Sequence, residues 1–126
     1  VPNLPADFAA RFFAKDATLW SGGDPAAVAS MLGWIDVLEK VRTHFDEIDA
    51  FVADVREAGF QRVVLCGMGG SSLAPLVLSE YFGVQEGGLP ISVLDSTHPA
   101  AIQREIEAGL DSTLFIVASK SGSTAE

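Results

Sequence analysis

The sequence predicts an α/β protein: a helical N-terminal segment, then a parallel sheet of three strands in the order 2-1-3 with the first strand central. Three observations predict it. "RVVLCG" (62–67), "ISVL" (91–94) and "TLFIVA" (113–118) are short apolar runs rich in β-branched residues, without polar alternation, as suits strands buried on both faces. Between them lie "SSLAPLVLSEYF" (71–82) and "PAAIQREIEA" (99–108), both of helical length, so the order is β-α-β-α-β and the crossover rule requires a right-handed parallel sheet. Three helices end in glycine followed by an apolar residue, at Gly59-Phe60, Gly83-Val84 and Gly109-Leu110. There a left-handed glycine closes the helix and the next side chain folds back onto it.

The elements follow in order. "FAARFFAK" (8–15) reads as a short amphipathic segment. Asp24-Pro25 supplies an N-cap with proline at the first helical position, and Gly33 is expected to end that helix. From there Trp34, Leu38, Val41, Phe45, Ile48, Val52 and Val55 form one stripe on a helix face. Core packing is the expected use of that stripe, on one helix or on two broken near Thr43. Pro99 opens the last helix at a first-turn position. The expected division is 1–60 for the helical segment and 61–126 for the first part of the sheet domain.

Composition narrows the function. With 48% hydrophobic residues the chain can build a core. No run of about 18 uncharged apolar residues appears, so no membrane span is expected. The chain opens on Val1 without a basic-then-apolar leader, so a processed start and a cytoplasmic protein are expected. The single cysteine, Cys66, reads as a small buried hydrophobe in a reducing compartment. His44 and His98 are far apart with no cysteine nearby, and no metal site is expected. The net charge is −9, and neither half is basic: residues 1–61 carry five basic and ten acidic groups, residues 62–126 three and seven. Nucleic acid and anionic membrane are therefore not expected partners. An anionic ligand would have to be held locally, by backbone N–H groups and hydroxyls.

Two loops offer them. In "CGMGGSSLAP" (66–75), Gly67, Gly69 and Gly70 allow close backbone approach, and Ser71 and Ser72 stand at a helix start with its free N–H groups. The dinucleotide fingerprint fails at its third small position, Ser72, although Asp95 imitates a ribose-binding acid. Neither a Walker A loop nor a G-x-S-x-G elbow occurs. "SKSGST" follows the third strand as the first loop follows the first. Both loops should leave the carboxyl edge of the sheet, where Ser119, Ser121, Ser123 and Thr124 can donate to phosphate oxygens beside Lys120.

"GMGGSSLAP" followed about forty residues later by "FIVASKSGSTAE" resembles the phosphoglucose isomerase family, within the wider sugar isomerase (SIS) fold. The likeness is strongest to the isomerase half of bifunctional transaldolase/phosphoglucose isomerase proteins, and "AKDATLW" and Gly33-Trp34 are similar to the helical lead-in of that group. The resemblance implies a three-layer αβα sheet and sugar-phosphate contact at Gly69, Gly70 and Ser71. It implies phosphate contact at Ser119, Lys120, Ser121 and Thr124, with Gly122 and Ser123 inside the same loop. Many members carry Thr-Phe-Thr-Thr where this chain has Ser121-Gly-Ser-Thr124, and Ala74 stands where glycine is frequent.

The implied activity is the interconversion of glucose 6-phosphate and fructose 6-phosphate without metal or organic cofactor, by a homodimeric parent. The family's base, ring-opening histidine and late lysine fall in its later half, so the resemblance places no catalytic residue here, and neither His44 nor His98 inherits a role. Three readings stand at this point: part of an isomerase inactive alone, a sugar-phosphate-sensing SIS module, and a Rossmann-type nucleotide-binding domain.

Overall fold

The computed structural model describes residues 4–20, 22–120 and 122. Backbone contacts divide the chain into two compact units, Val1–Phe51 and Val52–Glu126.

The first unit is built from short helices, two of them capped by aspartates. Helix α1 (Phe8–Phe13) is followed by a 3-10 turn at Ala17–Leu19. Asp16 holds that turn by accepting from the Thr18 N–H at 2.9 Å and from Arg11 Nε at 2.7 Å. Helix α2 (Pro25–Met31) starts as expected, with Pro25 at its first position and Asp24 accepting from the Ala26 N–H. It ends earlier than expected, at Leu32, and Gly33 instead opens a second 3-10 turn, Gly33–Asp36. The long stripe lies on two helices, α3 (Val37–Arg42) and α4 (Phe45–Glu57). The break falls where Thr43 Oγ1 donates to the Lys40 carbonyl at 2.7 Å, drawing the backbone out of the helical ladder.

That break corrects the expectation of a buried stripe. Val55 alone of the seven is buried, and the other six are partly to largely exposed, Trp34 at 62% and Leu38 at 69%. The 3-10 turn and the break at Thr43 each reset the helical phase, so the 4-3 spacing does not describe one continuous face. What gathers instead is aromatic. Phe12 stands 6.0 Å from Trp34, 6.3 Å from Trp20 and 5.4 Å from Phe13, ring centre to ring centre. These are separations and tilts at which ring quadrupoles attract.

Asp36 links two parts of this unit, paired with Lys15 and, at 3.0 Å, with Lys40. Hydrogen bonds from Lys15 first and Lys40 second lower its pKa to about 2. A carboxylate depressed in the folded state stabilises above its unfolded pKa and loses that contribution as pH falls through the folded value. Urea unfolding between pH 4 and pH 2 should therefore show the native protein losing stability faster than Asp36→Asn. Parallel pH profiles would remove Asp36 from the acid response.

The second unit is the sheet. Strands β1 (Arg62–Cys66), β2 (Ile91–Leu94) and β3 (Thr113–Val117) pair in parallel in the order β2-β1-β3. The order, the directions and the central place of β1 agree with the reading of the sequence. Central position explains burial: Val63, Val64 and Leu65 are 9%, 0% and 6% exposed. Each such side chain contributes roughly 1.5–3 kcal/mol by leaving water. Helices α5 (Leu73–Phe82) and α6 (Pro99–Glu107) make the crossovers. Pro99 occupies the first turn of α6, and His98 caps it, its Nδ1 accepting from the Ala100 N–H at 3.1 Å.

The glycine helix ends all take positive φ as expected, but Gly83 lies outside the left-handed helical region. Gly59 and Gly109 take φ of 79° and 97°. Gly83 takes φ 63° with ψ −169°, a region that essentially only glycine populates.

Two side chains, Arg62 and Glu105, tie the three strands to α6. Arg62 on β1 donates from Nε to Thr113 Oγ1 on β3, from Nη1 to Glu105 Oε2 and from Nη2 to the Glu105 carbonyl, each at 2.8 Å. Ser92 on β2 donates to the same Glu105 carboxylate at 3.3 Å.

Candidate functional site

Parallel pairing brings two loops to one edge. The register sets Cys66, the last residue of β1, opposite Val117, the last of β3, so the chain leaves both strands at the same level. The Ala118 N–H then donates to the Cys66 carbonyl at 2.8 Å, carrying the pairing one residue into the second loop. The two loops singled out from the sequence are thus neighbours on adjacent strands, at the carboxyl edge where open α/β sheets bind ligands.

The first loop turns immediately. Gly69–Ser71 form a single 3-10 turn, with the Ser71 N–H donating to the Met68 carbonyl and the Ser72 N–H to the Gly69 carbonyl. Ser72 is 4% exposed and its hydroxyl donates to the Gly69 carbonyl at 3.3 Å, so it braces the turn without capping α5. Gly69 needs its glycine for backbone reasons, at φ 56°. Gly70 does not: its φ is ordinary and a side chain there would meet nothing within 4 Å. Among the described residues nothing accepts from the Gly69 and Gly70 N–H groups, whereas those of Gly67, Ser71 and Ser72 are all used. Two donors at an open glycine suit an anionic or hydroxyl-bearing ligand.

In the second loop, the Gly122 N–H donates to Ser119 Oγ at 3.0 Å, and Gly122 sits at φ 66°. Lys120, beside Ser119, is exposed. Ser121, Ser123 and Thr124, read from the sequence as phosphate donors, lie outside the described residues.

Other sequence candidates fall elsewhere. Asp95 lines an open groove of about 410 Å³ with Ser96, His98 and Arg104, beside β2 and so on the opposite side of β1 from the second loop. Cys66 is half-buried at the end of β1. Burial first, and the negative charge of Glu105 second, push its pKa up, so it stays a neutral thiol at pH 7. Among the described residues no group of three or more His, Cys, Asp or Glu side chains is placed to hold a metal. Among the described residues no helix is long and apolar enough to cross a membrane.

Comparison with known proteins supplies the family. The phosphoglucose isomerase family profile matches residues 8–126. The chain belongs to the phosphoglucose isomerase family. Curated relatives named glucose-6-phosphate isomerase include one from Thermus thermophilus, 37% identical over 120 residues, covering 90% of this chain and 26% of the relative. One from Acaryochloris marina is 33% identical over 102 residues, covering 72% of this chain and 19% of the relative. One from Prochlorococcus marinus (strain NATL2A) is 43% identical over 63 residues, covering 48% of this chain and 12% of the relative. No solved structure gives a significant match. This phosphoglucose isomerase family chain therefore spans at most about a quarter of the length of these relatives.

Sequence reasoning placed the loops but missed the reason for one glycine in them. Three glycines within four residues were visible at Gly67, Gly69 and Gly70. That one is fixed by backbone angle, one is open to a ligand and one is pressed against the other loop is a matter of tertiary placement.

Proposed function

We propose that this chain is the phosphate-binding part of a glucose-6-phosphate isomerase, which interconverts glucose 6-phosphate and fructose 6-phosphate. The observation that carries the proposal is the pair of loops leaving adjacent parallel strands at one level, in a chain of this family. Ser119, Lys120, Ser121 and Thr124 hold the phosphate, with Gly122 and Ser123 shaping the loop. Gly69, Gly70 and Ser71 face the sugar, the two glycines offering N–H groups that nothing among the described residues accepts from.

The reaction is an internal redox exchange: a base removes the proton from C2 of the aldose, a cis-enediol forms, and the proton returns at C1 as the carbonyl moves to C2. The groups that move the proton and open the ring belong to the later half of the family pattern. The residues of this chain anchor and orient. Binding energy from the remote phosphate is used to align C1 and C2, which raises the rate only if the anchor is rigid. The resemblance that supports this reading also implies a cytoplasmic homodimer and a transaldolase domain fused to the parent.

A dehydrogenase-coupled assay with fructose 6-phosphate tests it. The full-length gene product should turn over, and the purified 126-residue chain, freed of host isomerase, should not. Turnover by the short chain would contradict the assignment of catalysis elsewhere. Tight sugar-phosphate binding by a full-length product that never turns over would identify a sensor.

A further inference from the structure

We infer that Gly67 is a positioning residue that sets the gap between the two loops, and through it the ability to hold a sugar phosphate across both. The inference rests on the reading of the loops as a sugar-phosphate site. Gly67 is buried and its φ lies outside the left-handed region, so its backbone does not require glycine. Space does. A Cβ there would lie 3.0 Å from the Ala118 carbonyl oxygen, 3.1 Å from Ser71 Cβ and 3.5 Å from Ala118 Cβ. Those atoms belong to the two loops, Ser71 to the first and Ala118 to the second.

The nearest contact is backbone, one peptide past the last bond that pairs β3 with β1. The Ala118 N–H is bonded to the Cys66 carbonyl at 2.8 Å, and the Gly67 N–H to the Leu94 carbonyl at 3.2 Å. A methyl group at residue 67 therefore moves either the exit of β3 or the Ser71 turn by some tenths of an ångström. A ligand held by the second loop alone does not register that change. A ligand whose phosphate sits in the second loop and whose hydroxyls reach the first does, because its two anchor points must keep their spacing.

The test is calorimetric titration of the full-length gene product with glucose 6-phosphate and, separately, with inorganic phosphate. Gly67→Ala should weaken glucose 6-phosphate binding at least tenfold and change inorganic phosphate binding less than twofold. Gly33→Ala, where a side chain meets nothing within 4 Å, should change neither. A purely structural role for Gly67 would weaken both ligands together, and that result, or no change in either, overturns the inference. Should Gly67→Ala not fold, Ala118→Val crowds the same contact from the other side and should give the same split. Failure of both variants to fold would assign Gly67 to the fold alone and also overturn it. A wild-type protein that binds glucose 6-phosphate no better than inorganic phosphate would bring down the reading of the site itself, a distinguishable outcome.

Discussion

Replacing Arg62 by alanine is expected to destabilise the protein by about 3 kcal/mol, the lower end of what breaking a buried ion pair costs. The side chains of Arg62 and Glu105 are only 20% and 18% exposed, so water does not readily replace the lost partner. The substitution leaves the Glu105 carboxylate with Ser92 alone, at 3.3 Å, and strips a donor from the Glu105 carbonyl at the end of α6. Thr113 keeps its own bond to the Gly109 carbonyl at 2.6 Å, so the β3 end of the network is the part that survives. Arg62→Lys should recover little, because one ammonium group cannot serve three acceptors in a planar fork. Arg62→Met combined with Glu105→Leu should recover part of the loss by removing the stranded charge, while the backbone carbonyl of residue 105 remains without its donor. Urea unfolding monitored by circular dichroism measures all three. A change below about 0.5 kcal/mol for Arg62→Ala would mean that the pair behaves as a solvated surface bridge.

Changing Ser119 and Thr124 together to alanine is expected to weaken binding of glucose 6-phosphate by the full-length gene product at least about 100-fold. Hydrogen bonds to a charged group are each worth about 1.5–3 kcal/mol, and two of them exceed the roughly 2.7 kcal/mol that a hundredfold requires. Ser119 contributes in a second way, since its hydroxyl also accepts from the Gly122 N–H. Inorganic phosphate should weaken in parallel, because both groups are assigned to the phosphate and not to the sugar. Gly67→Ala is expected to separate the two ligands, so the pair of experiments distinguishes loss of the anchor from loss of the spacing. Titration that finds equal affinities in wild type and double variant would reduce the second loop to a solvated turn.

The sheet was legible because its signals are local. Non-alternating β-branched runs separated by helical lengths leave few topologies once the crossover rule is applied, and the order β2-β1-β3 followed. Helix ends were legible for the same reason: a positive φ at Gly59, Gly83 or Gly109 selects glycine whatever surrounds it. Strand ends were read one residue long at Gly67 and Ala118, since an apolar run does not mark where pairing by strand geometry gives way to a loop. Of the two forms left open for the stripe from Trp34 to Val55, the one broken near Thr43 is present, and the expectation that failed is its burial.

What the sequence determined by itself, then, was the class of fold, the strand order, the glycine-closed helix ends and the identity of two hydroxyl- and glycine-rich loops. Each depends on backbone preferences within a few residues. Tertiary structure alone decided that Arg62 reaches Glu105, 43 residues away, and that Gly67 is a glycine because Ala118 passes 3.0 Å from where its side chain would be. Contacts between distant segments depend on where parallel pairing sets each strand's end, and no local preference encodes that position.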